Sequence, residues 1–108
     1  AKKGVIIINT ARGPIIDIDA LYEALKSDQV LAAGLDVLPD EPANMNKPLI
    51  AAWHQNKEWI RHRLLVTPHS AFFTPQSMRD IRAFSARTAA RYLRDGVLQS
   101  CVNKQFLP

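Results

Sequence analysis

The stretch Val5-Ile6-Ile7-Ile8-Asn9-Thr10-Ala11-Arg12-Gly13-Pro14 decides the fold. Its four leading residues are all β-branched, which stiffens the side chains and favours an extended backbone. An apolar run without polar alternation predicts a strand buried on both faces of a parallel sheet. Ala11-Arg12-Gly13-Pro14 breaks that strand. Asp17 then offers an N-cap for a helix over Ile18–Ser27, with Leu21, Ala24 and Leu25 on one face.

The same alternation continues. Val30–Leu38 reads as a second strand closed by Pro39, Asp40–Pro48 as a loop, and Leu49–Arg61 as a helix with Leu49, Trp53 and Ile60 inward. Leu64–Thr67 is a third short strand, stopped by Pro68. Thr74 is an N-cap with Pro75 at the first helical position, where a missing N–H costs nothing. Gly96 stops the final helix, which at ~1.5 Å per residue spans about 31 Å. The order β-α-β-α-β-α predicts an α/β fold: a parallel sheet of three strands with right-handed crossovers, plus a long C-terminal helix. Three parallel strands need cover on both faces, and Lys2-Lys3-Gly4 reads as the end of a preceding helix. The expectation is therefore a segment of a larger protein, or a homo-oligomer.

Composition narrows the class without choosing a function. The chain has 108 residues, 47% hydrophobic and 22% charged, the profile of a globular domain. No run approaches the ~18 apolar residues of a membrane span, and the N-terminal aliphatic run is too short for a signal peptide. No membrane partner is expected, and the single Cys101 allows no internal disulfide, so a cytoplasmic setting is expected. The net charge of +4, from 14 basic and 10 acidic residues, suits an anionic ligand but decides nothing alone. Arg79, Arg82, Arg87, Arg91 and Arg94 are spread around the last helix with few aromatics beside them. They read as a solvated or salt-bridged surface, and no nucleic-acid partner is expected. His54 and His62 lack a cysteine or paired carboxylate to complete a metal site, so no metal is expected.

Chemistry gathers where the strands end. Ligands of open α/β sheets sit beyond the carboxyl ends of the strands. Arg12 follows the first strand, Glu41 the second and His69 the third. An imidazole is the natural general acid/base near neutral pH. A carboxylate beside it favours the imidazolium and poises it to donate a proton to a developing alkoxide. A guanidinium presents a planar fork to a substrate carboxylate and polarises an adjacent carbonyl. Each residue has a plainer reading: a loop ion pair, a solvated carboxylate, a packed histidine. Their joint placement favours the catalytic one.

These segments also carry a resemblance. Lys3-Gly4-x-x-x-Ile8-Asn9-Thr10-Ala11-Arg12-Gly13-x-x-x-Asp17-x-x-Ala20-Leu21, Gly34-Leu35-Asp36-Val37-Leu38-Pro39-Asp40-Glu41-Pro42 and Thr67-Pro68-His69-Ser70-Ala71 resemble, in order, three signature segments of the D-isomer-specific 2-hydroxyacid dehydrogenases. The Trp53–His62 insertion and Ser70-Ala71-Phe72-Phe73-Thr74 are most similar to a bacterial branch like the C-terminal binding protein. The resemblance implies the C-terminal part of a Rossmann-type NAD(P)-binding domain over 1–96, with 97–108 returning toward a substrate domain. It implies catalysis by Arg12, Glu41 and His69, and NAD, with NADP as an alternative, along Thr10, Ala11, Arg12, Asp36, His69 and Ala71. Ala71 stands where many members have glycine.

The family's Gly-x-Gly-x-x-Gly loop has no counterpart among Gly4, Gly13, Gly34 and Gly96. The implied function is hydride transfer between nicotinamide and a small D-2-hydroxy acid or 2-keto acid, with the isolated chain expected to be inactive. Two alternatives stand beside it: a dinucleotide-sensing, co-repressor-like interaction module, and a non-functional truncated remnant.

Overall fold

The computed structural model describes residues 1–106. It forms two compact units, the first Ala1–Ala71 and the second beginning at Phe72.

The first unit is a three-stranded sheet in the order β1 (Val5–Asn9), β2 (Val30–Leu35), β3 (Leu64–Val66), with both pairings parallel. Its register sets Asn9 opposite Leu35 and Leu35 opposite Val66, so the three strands end level. The loops that follow them consequently leave from one edge of the sheet. Helix α1 (Ile18–Lys26) starts where expected, because the Asp17 carboxylate accepts the backbone N–H groups of Asp19 and Ala20, both at 3.0 Å. Ile18, Leu21 and Leu25 recur on its inner face and pack with Leu35, Leu49 and Ile60 in one core. Full burial of each such side chain contributes about 1.5–3 kcal/mol.

Two elements are shorter than the sequence predicts. β2 ends at Leu35 rather than Leu38, because the Asp36 carbonyl turns to accept the His69 N–H at 2.8 Å. The helix expected over Leu49–Arg61 is instead α2 (Pro48–His54) followed by a 3-10 turn at Glu58–Ile60. Asn56 causes the break. It adopts φ 51°, its N–H donates to Trp53 O and that of Lys57 donates to Ala52 O, a left-handed termination that asparagine tolerates.

The expectation of burial on both faces is also corrected. Ile6, Ile8, Leu31 and Leu65 are more than half exposed, while Val30, Ala33, Leu35 and Leu64 face the core. Helices α1 and α2 serve the core-facing side, and the apolar run encodes a second face that no other element of this unit covers.

Arg63 ties the opposite end of the sheet. Its guanidinium donates to the carbonyls of Leu31 (2.8 Å), Leu25 (2.8 Å) and Val30 (3.0 Å), and pairs with Asp28 at 2.9 Å.

The second unit is α3 (Pro75–Asp95) and the segment after it, including a 3-10 turn at Lys104–Phe106. Thr74 and Ser77 cap each other's backbone at the start of α3, and Gly96 closes it at φ 67°. None of its residues is buried; Ile81, Phe84 and Tyr92 are about half exposed. Arg94 pairs with Asp95, and Arg79 and Arg91 donate to Gln76 and Gln99. Cys101 is half-buried, and its thiol lies 3.3 Å from the Asn103 side-chain oxygen. The last two residues of the expected 97–108 tail lie outside the described residues. No described helix is long and apolar enough to cross a membrane.

Candidate active site

The level strand ends bring three loops together, with Asn9 at the end of β1 and Asp36 just past β2 as polar anchors. In the first loop Asn9 is buried, 6% exposed, and both ends of its amide are engaged. Its Nδ2 donates to the Arg12 carbonyl at 2.9 Å and its Oδ1 accepts the Ala11 N–H at 3.1 Å. The loop thus closes as an Asx turn that leaves Arg12 extended at φ −148° and exposed. The Arg12 side chain donates to the Ala11 carbonyl at 2.7 Å. Gly13 follows at a position where an added Cβ would fall 2.0 Å from the Leu38 carbonyl, so only glycine fits this approach.

Asp36 holds the third loop. Its Oδ1 accepts the Thr67 hydroxyl and the Ser70 N–H, and its Oδ2 accepts the Ala71 N–H. Its own N–H donates to the Asn9 carbonyl at 2.9 Å, linking the first loop to the second. The Thr67 hydrogen bond, helped by the Ala71 and Ser70 amides and by the charge of His69, lowers the Asp36 pKa against the opposing effect of burial. Between these bonds the chain turns through His69 at φ 52°, a left-handed conformation uncommon outside glycine. His69 N–H is fixed in it by the Asp36 and Thr67 carbonyls, at 2.8 and 3.0 Å.

The second loop delivers Glu41 to His69. Glu41 Oε2 lies 2.8 Å from His69 Nδ1, and Oε1 accepts the Leu38 N–H at 3.1 Å. The His69 bond first, and the Leu38 amide second, lower the Glu41 pKa; burial and the Asp36 charge oppose them. The carboxylate therefore stays ionised beside the imidazole, and the bond to Nδ1 orients the ring. The pair borders a hollow of about 420 Å³ whose remaining wall is largely apolar, including Leu38, Ala43, Trp53 and Val66.

Of the residues expected at the site, the structure places Asp36, Glu41 and His69 on this one hollow. Thr10, Ala11 and Arg12 belong to the neighbouring turn at the same sheet edge, and Ala71 reaches the site through the hydrogen bond its backbone N–H donates to Asp36. Among the described residues no group of three or more His, Cys, Asp or Glu could hold a metal. Sequence reasoning passed over Asn9, Thr67 and the Gly13 contact. A polar residue ending an aliphatic strand was the available signal for Asn9; Thr67 and Gly13 carried none without the partner loops.

Comparisons with known proteins identify the family. The profile described as "D-isomer specific 2-hydroxyacid dehydrogenase, NAD binding domain" matches residues 1–71. The D-3-phosphoglycerate dehydrogenase of Haemophilus influenzae is 35% identical over 94% of this chain and 24% of its own length. The glyoxylate/hydroxypyruvate reductase B of Cronobacter sakazakii is 33% identical over 94% of this chain and 29% of its own length. The crystal structure of a glyoxylate reductase from Paecilomyes thermophila superposes with a TM-score of 0.74 at 31% identity, covering 96% of this chain and 29% of that one. The NAD-complexed D-isomer specific 2-hydroxyacid dehydrogenase of Lactobacillus delbrueckii ssp. bulgaricus gives 0.67 at 29% identity, covering 94% of this chain and 32% of that one. The chain thus spans a quarter to a third of the length of these relatives. It belongs to the D-isomer-specific 2-hydroxyacid dehydrogenases, and residues 1–71 are a stretch of that family's NAD-binding domain.

Proposed function

We propose that the chain forms one wall of the active site of a NAD-dependent oxidoreductase acting on a small D-2-hydroxy acid or 2-keto acid. The observation that carries this is the Glu41–His69 pair, 2.8 Å apart at the sheet edge from which the Arg12 turn also leaves. With Nδ1 committed to Glu41, His69 exchanges the hydroxyl proton of the substrate through Nε2. Arg12 binds the substrate carboxylate and polarises the neighbouring carbonyl.

The residues present fit a nicotinamide. A carboxylate offers about four lone-pair positions, and the three internal hydrogen bonds of Asp36 leave it one acceptor position. That position suits an amide donor such as the nicotinamide carboxamide, with Thr10 and Ala11 on the same edge. Bound there, the nicotinamide supplies or takes the hydride.

A chimera tests the proposal. The matching segment of the Haemophilus relative is replaced by this chain, and NADH oxidation is followed with 2-keto acids. Turnover is expected, with His69→Gln lowering kcat by about 10²–10⁴-fold while NADH binding persists. A His69→Gln chimera as active as its parent would refute the assignment. NADH binding without turnover in the parent chimera would favour a dinucleotide-sensing module instead. The 108 residues alone have no glycine spacing that cradles a pyrophosphate, and no turnover is expected of them.

A further inference from the structure

We infer that Asn9 is a positioning residue for Arg12, a role that rests on the proposal that Arg12 binds the substrate carboxylate. Asn9 and Asp36 are the two buried polar residues among those described. The bonds of Asp36 serve the His69 loop. Those of Asn9 serve Arg12.

Three observations make the arrangement more than a satisfied buried amide. The Asn9 side chain spends both its donor and its acceptor on the backbone immediately around Arg12, at Ala11 N–H and Arg12 C=O. Its own carbonyl accepts the Asp36 N–H, so the anchor is fixed to the strand end next to it rather than to a mobile loop. On the other side of Arg12, Gly13 lies against the Leu38 backbone, which prevents the turn from sliding. Arg12 is therefore held at both flanks while its side chain stays exposed. A long, flexible cation needs such a base if its fork is to meet a planar carboxylate with two parallel bonds. Without the Asn9 bonds the Arg12 carbonyl and the Ala11 amide turn to water, and the guanidinium searches a wider volume. The expected loss falls on carboxylate binding and leaves the Glu41–His69 pair unchanged.

The test uses the isotope-labelled 108-residue chain and oxamate, a planar 2-keto acid analogue, with NMR signals of the Arg12 Nε–H group and the His69 ring as reporters. In the parent chain oxamate is expected to shift the Arg12 signal. Asn9→Ser should weaken that titration about tenfold, with the His69 ring signals of the ligand-free chain unmoved. Asn9→Asp, equal in size, keeps the acceptor for Ala11 N–H and loses the donor to Arg12 C=O, so it should fall between the two. It also serves if the serine variant does not fold. Oxamate titrations of equal strength in the parent and both variants would overturn the role of Asn9 while leaving Arg12 as the carboxylate ligand. Equal displacement of the Arg12 and His69 signals before ligand is added would also overturn it, by showing a general structural role. Failure of oxamate to shift Arg12 in the parent chain would overturn the carboxylate assignment, and the role of Asn9 with it.

Discussion

Gly13 lies so close to Leu38 that a Cβ built on it would fall 2.0 Å from both the carbonyl carbon and the carbonyl oxygen of that residue. The contact joins the loop that carries Arg12 to the loop that carries Glu41. Neither partner can yield, because the obstruction is backbone. Gly13→Ala is expected to cost about 3 kcal/mol, the upper part of the range for overpacking, measured by urea denaturation of the chain. Gly34→Ala is the control. Its Cβ would meet only the end of the Ile8 side chain, at 2.9 Å, which can rotate away. A loss below about 1 kcal/mol is expected there. Equal losses at both positions would show that the loop contact is not special.

Arg63 supports the sheet from its other end. Four carbonyls, those of Leu25, Val30, Leu31 and, at 3.4 Å, Trp59, receive its guanidinium. Arg63→Met keeps most of the apolar stem but strips those acceptors of their donor, and a loss of about 2–4 kcal/mol is expected. Asp28, the other partner of the same guanidinium, has a side chain 69% exposed. Asp28→Asn, which keeps a side chain tolerant of the left-handed backbone there (φ 57°), should therefore cost less than about 1 kcal/mol. Comparing the thermal midpoints of the two variants checks whether the carbonyls or the ion pair matter more.

What could be read in advance follows the range of the interactions concerned. β1 and α3 were legible to the residue because their determinants are local: four β-branched residues in one case, Thr74, Pro75 and Gly96 in the other. The end of β2 was not, since Asp36 leaves the strand to bond a residue 33 positions later. The break after His54 was overlooked although its signal was present, in an asparagine able to take a left-handed turn. The same division holds at the site. Arg12, Glu41 and His69 announce themselves by chemical type and by position after a strand, whereas Asn9, Thr67 and Gly13 matter through partners in other loops. The open face bearing Ile6 and Ile8 reverses the case: its sequence has the pattern of a covered strand, and no element of its own unit covers it.

α3 rests on local interactions, since none of its residues is buried. Its ends should then decide its stability. Thr74→Ala removes the acceptor for the Ser77 N–H, a loss of about 1 kcal/mol. Gly96→Ala forces a Cβ into the left-handed region, a loss of about 1 kcal/mol. Amide exchange across Pro75–Asp95 should be faster than across Ile18–Lys26 in the parent chain and should rise further in both variants. Protection in α3 equal to that in α1 would contradict this account.

Two carboxylates at the sheet edge, Asp36 and Glu41, should contribute to an acid limit of the fold. Asp36 and Glu41 both have pKa values lowered below their ordinary 3.8 and 4.5, the first chiefly by the Thr67 hydroxyl and the second chiefly by His69. A carboxylate whose pKa is lower in the folded than in the unfolded chain adds stability that is fully present above its unfolded value. That stability is lost as pH falls through the folded value, because protonation is then easier in the unfolded chain. The thermal midpoint should consequently begin to fall as pH drops through 4.5 and continue falling below 3.8. Asp36→Asn and Glu41→Gln should each flatten part of this acid limb while lowering stability at neutral pH. Thr67→Val removes the largest cause of the Asp36 shift and should move the Asp36 carboxyl titration upward in carbon-detected NMR. An unchanged titration in that variant would show that the backbone amides of Ser70 and Ala71, rather than Thr67, hold the carboxylate ionised.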